Sequence, residues 1–274
     1  MTLISLLLVL LIERVTTKSR YWQTEFYVDK YLDVVEKRDW MRKSSASWAL
    51  LILLFLPTVI FFVVMQQLSG GLIELIVSTA ILMVCVGCPA VRATYKCFLQ
   101  AANRGDFQAC SMYAEQLNEA DEGPEAFGQN LVWQNYRHYA AVILWFTALG
   151  AAGAVLYVLA RNIQSRYANS EDGTSERINQ IMYLLDWLPV RITALGFLLV
   201  GHFSRAFPIW IAHLPDPAVS AKTLLLSVAV QAEEVEPDEN DCTEEPCTLV
   251  RLAKRNIMFL TAAIAILTLS GWLD

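Results

Sequence analysis

An acid and a base stand at the head of an apolar run in MYLLDWLPVRITALGFLLVGH, residues 182–202. They are Asp186 and Arg191, with Pro189 between them. A charge at mid-bilayer costs roughly 2.5–3.5 kcal/mol on the insertion scale, so such residues belong at an interface or face a protein interior. Proline fits the first turn of a helix and disfavours α geometry at the preceding residue, here Leu188. The pattern predicts a helix from about Trp187 to Phe203 with Asp186 as its N-cap, its carboxylate at the positive end of the helix dipole. Arg191, one turn in, would reach back toward it. Two chemistries fit: a capped helix with an ion pair at the membrane surface, or an anion site built from first-turn N–H groups and a guanidinium beside a membrane cavity.

Other polar residues also border apolar runs. Glu13 closes the first one, either as a solvated interface acid or as one wall of a polar site. Gln134, Asn135, Arg137 and His138 stand just before another. Glu13, Asn135, Arg137, Asp186 and Arg191 are the candidate ligand-binding residues, with no catalytic and no metal-binding residue assigned. His138, His202 and His213 fall in separate segments, which argues against a histidine metal site. Cys85 and Cys88 sit inside an apolar stretch and read as two small apolar residues rather than zinc or redox ligands. Cys242 and Cys247 have carboxylates and no histidine nearby, so zinc is disfavoured there too. The chain contains no Gly-rich phosphate loop, no G-x-S-x-G elbow and no H-E-x-x-H.

The elements that must carry these residues are membrane helices. The chain is 55% hydrophobic with a mean hydropathy of +0.40, the composition of a membrane protein. The expected fold is all-α: one polytopic inner-membrane helical bundle over residues 1–274 with cytoplasmic helical segments. Its apolar runs lie at about 2–12, 48–65, 72–91, 139–160, 187–203 and 257–273. The first is short, lacks a basic leader and a small-x-small cleavage pattern, and is expected to stay in place as a short spanning or half-inserted helix. Residues 14–47 are basic and aromatic with amphipathic spacing, which suits either a helix on an anionic membrane face or one packed on the bundle. Residues 92–138 read as soluble helices with a turn at Asn103-Arg104-Gly105-Asp106.

Residues 231–246 hold eight acids and no base and read as a mobile acidic loop. The net charge of −6, with no basic run interleaved with aromatics, excludes a nucleic-acid partner. Seventeen of the 21 Lys and Arg residues fall in 14–47, 92–138 and 201–256, which makes those segments cytoplasmic by the positive-inside rule and puts Arg161, Arg166 and Arg177 outside. That orientation starts the Asp186 helix at the outer surface. If residues 139–160 are instead re-entrant or surface-packed, Asp186 returns to the inner face; the sequence leaves both open.

The chain resembles the AmpE family of bacterial inner-membrane proteins. The resemblance rests on MTLISLLLVLLIER, YKCFLQAANRGDFQA and NLVWQNYRHYAAVILWF, and most sharply on LLDWLPVRITALGFLLVGH followed by Ala206-Phe207-Pro208-Ile209-Trp210. It implies a regulator linked to β-lactamase induction and cell-envelope sensing, working in the lipid bilayer with an envelope metabolite or a protein partner. AmpE is in turn similar to the CobD/CbiB membrane synthases, which would imply an ATP-dependent ligase using a nucleotide with Mg. The synthases carry an acid and an Asp-Gly ahead of the fourth apolar run; this chain has Gln134, Asn135, Arg137 and His138. Their Arg-Asp-Thr is matched only by Arg104-Gly105-Asp106. Two acids suited to Mg–ATP are therefore missing or displaced, so the resemblance implies the scaffold without the catalysis.

Overall fold

The computed structural model describes residues 2–16, 18–37, 46–67, 71–117, 127–168, 173–214, 219–233 and 242–272, and every regular element among them is helical. In chain order these are α1 (Thr2–Val15), α2 (Thr24–Lys37), α3 (Ala46–Gln67), α4 (Leu72–Cys85), α5 (Pro89–Ala102) and α6 (Phe107–Glu115). They continue as α7 (Phe127–Asn135), a π-helical turn (Tyr136–Ala140), α8 (Ala141–Arg166), α9 (Thr174–Val200), α10 (Phe203–His213), α11 (Ala221–Ala232) and α12 (Glu244–Leu269). Among the described residues, four helical stretches are long and apolar enough to cross a membrane: 50–67, 127–166, 174–200 and 244–269. A fifth exists if α4 and α5, bent by 48° at their junction, form one broken span. The chain is an all-helical protein of membrane-spanning character.

Contacts divide it into two units: residues 1–87, 141–189 and 264–274, and residues 88–140 and 190–263. In the first, α8 is central and packs against α1, α2, α3 and α4, while α1 also packs along α4. The uncharged 22-residue α3 is long enough for a bilayer core of about 30 Å at about 1.5 Å per residue. Its Ile52, Phe55, Leu56, Val59 and Phe62 are exposed, as lipid-facing residues must be. By contrast Ala151, Ala152, Ala154, Tyr157, Val158 and Ala160 of α8 are buried. Lys18 donates to the carbonyls of Met83 and Val86, and the Thr24 hydroxyl donates to Val84 O at 2.7 Å. These bonds satisfy carbonyls that the end of α4 leaves without helical donors.

In the second unit, Pro89 opens α5 in the position where its missing N–H costs nothing. The predicted turn follows, and Asp106 caps α6 by accepting from the Ala109 N–H at 3.0 Å. Phe98, Ala101, Cys110, Ala114, Phe127 and Leu131 form the core there, with the Phe98 and Phe127 rings 4.4 Å apart. Ser220 caps α11 by accepting from the Thr223 N–H at 3.1 Å, and α11 packs on α7 and α10.

The acidic tract departs from expectation at both flanks. Gln231 and Ala232 finish α11, and Glu244 and Glu245 form the first turn of α12, where the helix dipole favours acids. Glu233 is paired with Arg255 of α12, so the tract does not lack counter-charge. Residues 234–241, where a mobile loop was expected, lie outside the described residues.

Candidate functional site

The predicted start of the signature helix is wrong. The helix begins at Thr174, with Glu176 in its first turn, and runs unbroken to Val200. Asp186 is therefore an interior residue rather than an N-cap, and Pro189 lies inside the helix. Proline at this point removes the N–H that would bond the carbonyl four residues back, that of Leu185. Trp145 of α8 supplies the missing donor: its Nε1–H donates to Leu185 O at 3.2 Å. The next residue is held from the same helix, the Tyr157 hydroxyl donating to Asp186 Oδ1 at 2.8 Å. Asp186 is only 4% exposed, so this hydrogen bond offsets part of the cost of desolvating its carboxyl.

A break in α8 lets one helix present both donors. Gly150 has φ 64 and ψ −153, outside helical geometry and on the left-handed side that glycine tolerates. It divides α8 into 141–149 and 151–166. The bend is tight enough that a Cβ on Gly153 would lie 2.2 Å from Trp145 O, whereas eight residues of straight helix span about 12 Å. Glycine is required at 153 for this approach.

The remaining candidates take the following places. Glu13, near the end of α1, is buried in the first unit. Arg161 of α8 is also buried there, at 5% exposed, so the described part of this unit encloses Glu13, Asp186 and Arg161. In the second unit, Asn135 is the half-buried last residue of α7. Arg137 lies in the π-helical turn with its guanidinium 5.8 Å from the centre of the Trp133 ring, and that ring stacks on Tyr136. π-Helical turns occur often at functional positions. Arg191 donates from Nε to Leu214 O at 3.2 Å. Within a continuous helix, residues five apart leave the axis about 140° from one another, a different placement from the cap and first turn that were expected. Cys85 and Cys88 are buried free thiols.

Trp145, Tyr157 and Arg161 were not singled out by sequence reasoning. Pro189 was the available signal. Inside a helix it announces an unbonded carbonyl at Leu185, but nothing in the spacing says which distant donor answers it. Chemically, the arrangement is a polar lock between two apolar helices: one carbonyl and one carboxyl on α9, one indole and one phenol on α8.

Comparison with known proteins bears on what such a lock serves. A family model described as "Regulatory signalling modulator protein AmpE" matches residues 1–274. Protein AmpE of Shigella flexneri is 28% identical over 289 aligned residues, covering 99% of this chain and 99% of its own. Cobalamin biosynthesis protein CobD of Chromobacterium violaceum is 27% identical over 157 residues, covering 53% of this chain and 49% of its own. No solved structure matches the chain.

Proposed function

Because the chain belongs to the AmpE family of regulatory signalling modulators, we propose that it is a non-catalytic modulator in the bacterial inner membrane, linked to β-lactamase induction and cell-envelope sensing. The observation that carries this reading is the use made of the signature segment. Leu185, Asp186 and Pro189 are all engaged in joining α9 to α8, a structural task that leaves the helix pair able to respond as a unit. The candidate ligand-recognising residues are Glu13 and Asp186 in the first unit and Asn135, Arg137 and Arg191 in the second, and an envelope metabolite or a protein partner is the proposed signal. The lipid bilayer is the working environment, the main loops are cytoplasmic, and nucleic acid is not a partner.

The half-length similarity to CobD favours a second reading, in which the scaffold keeps ATP-dependent ligase or nucleotide-binding chemistry with Mg. The test has two arms. In the first, Arg191→Gln is introduced on the chromosome and β-lactamase induction is measured at matched protein level. Altered induction supports the modulator, and wild-type induction removes Arg191 from the set. In the second, purified protein is titrated with ATP and Mg. No saturable binding is expected, and micromolar binding with turnover would establish the enzyme instead.

A further inference from the structure

We propose that Cys110 and Cys242 are a redox modification site: the exposed Cys242 meets a hydroperoxide, and the buried Cys110 closes a reversible disulfide with it. Both thiols are free in this structure. Cys110 lies in the first turn of α6, 4% exposed, with its S–H directed at Phe98 O, 3.8 Å away. The side chain of Cys242 stands within hydrogen-bonding reach of it, two residues before α12 opens at Glu244.

The seat of α12 on its neighbours holds this approach. The Tyr95 hydroxyl of α5 donates to Cys247 Sγ at 3.4 Å, and Val250 packs against the core that contains Phe98, Cys110 and Phe127. A Cβ on Gly128 of α7 would lie 3.2 Å from Pro246 Cα, so α7 and the head of α12 meet at backbone distance. Asp106, the cap of α6, fixes the turn that carries Cys110. Sulfurs brought together by packed helices can bond without large backbone movement, the condition on which bridging two cysteines depends.

The two thiols also differ as such a pair requires. Oxidation starts at a thiolate that solvent can reach, and a second thiol beside it resolves the product. Cys242 is exposed. Burial first, then Cys242 and Asp106, push Cys110 up to about 11, so it stays a thiol and leaves the first step to Cys242. A neutral hydroperoxide is the fitting oxidant class. Residues 231–246 hold eight acids and no base, a field that repels an anionic disulfide such as oxidised glutathione.

In the first step the Cys242 thiolate attacks one oxygen of hydrogen peroxide. The O–O bond breaks, the sulfur gives up two electrons, and the departing hydroxide takes the proton of the original thiol to leave as water. Cys110 Sγ then attacks the sulfenic sulfur, an S–S bond forms and the S–O bond breaks. That hydroxide carries off the Cys110 proton as a second water. External thiols reverse the bond by exchange, and while it lasts it ties α6 to the head of α12.

The experiment treats full-length protein in detergent with hydrogen peroxide, blocks remaining thiols with maleimide and maps peptides by mass spectrometry. A cross-linked Cys110–Cys242 peptide lacking two hydrogens is expected, and dithiothreitol should remove it. The unfolding temperature should rise on oxidation, because the bridge restricts the unfolded chain, and this rise should be absent in Cys242→Ser. In Cys110→Ser the sulfenic acid of Cys242 has lost its partner, so dimedone should trap more of it than in the wild type. The wild-type map decides the matter even if Cys110→Ser fails to fold. Cys242 left reduced, oxidised to the sulfinic acid beside an unmodified Cys110, or bridged to any other cysteine overturns the proposal. Oxidised glutathione forming the bridge as fast as peroxide overturns the assignment of the oxidant.

Discussion

Trp145 donates its indole N–H to the carbonyl of Leu185 at 3.2 Å, the acceptor that Pro189 deprives of its helical donor. The same device recurs at the other membrane-helix proline of this unit. Pro57 lies inside α3, its orphaned acceptor is Leu53 O, and the hydroxyl of Tyr31 on α2 donates to it at 3.0 Å. Each proline thus gives up a bond within its own helix, and an aromatic side chain of another helix takes it over. A carbonyl that would have been used locally becomes a point of tertiary attachment.

This account predicts a coupling. Trp145→Phe leaves Leu185 O buried without a donor, at a cost of about 1–3 kcal/mol. Pro189→Ala restores an N–H at the position that bonds Leu185 O within α9. In that background Trp145→Phe should cost clearly less. Thermal unfolding of the four proteins in one detergent checks this. An equal loss in both backgrounds would show that Trp145 stabilises by packing alone.

The neighbouring pair separates charge from hydrogen bonding. Asp186→Asn keeps an acceptor for Tyr157 and should be mild. Tyr157→Phe removes one donor from a buried carboxyl, and hydrogen bonds to charged groups are worth about 1.5–3 kcal/mol. The double variant should lose less than the sum of the two single losses, measured as a thermodynamic cycle. Strict additivity would mean that the bond contributes nothing.

Tyr31 adds a pH dependence. Burial raises its phenol above the ordinary value, because the charged phenolate is disfavoured away from water. A group with a raised folded-state pKa contributes stability that is fully present below its unfolded pKa, near 10, and is lost as pH climbs through the folded value. Unfolding temperature should therefore fall more steeply above about pH 10 in the wild type than in Tyr31→Phe. Identical alkaline slopes would count against the Tyr31–Leu53 bond.

What could be read from the sequence follows from the range of each interaction. Helix α3 was legible because 22 residues without a charge leave few alternatives, and the Asn103–Asp106 turn because Gly105 and the capping Asp106 act locally. Asp186 was misplaced for a local reason too. Pro189 has two legitimate helical positions, the first turn and an interior site rescued from outside, and only the tertiary donor Trp145 decides between them. The bend at Gly150 was invisible for the same reason, since a glycine inside an apolar run marks a break only when the surrounding helices demand one. The ion pair of Arg166 on α8 with Asp33 on α2, 2.7 Å apart, joins residues 133 positions apart, beyond any pattern of spacing.

The last prediction concerns two cysteines of the second unit whose sequence context gave no sign that they meet. The buried thiol of Cys110 lies within hydrogen-bonding reach of the exposed Cys242. Its pKa is pushed up to about 11, first by burial, then by Cys242 and Asp106. The thiolate is the species that reacts, and a pKa about four units above neutral leaves roughly one thiol in ten thousand ionised. Maleimide at pH 7 should therefore modify Cys242 readily and leave Cys110 untouched until the protein unfolds. Replacing Cys242 with serine removes the second cause but not the first, so Cys110 should stay protected in Cys242→Ser. The sign for stability matches that for Tyr31: the raised value stabilises the fold fully below the ordinary thiol range, and this contribution is lost as pH rises toward about 11. Rapid labelling of Cys110 in the folded wild type would show that α6 and the start of α12 do not enclose it.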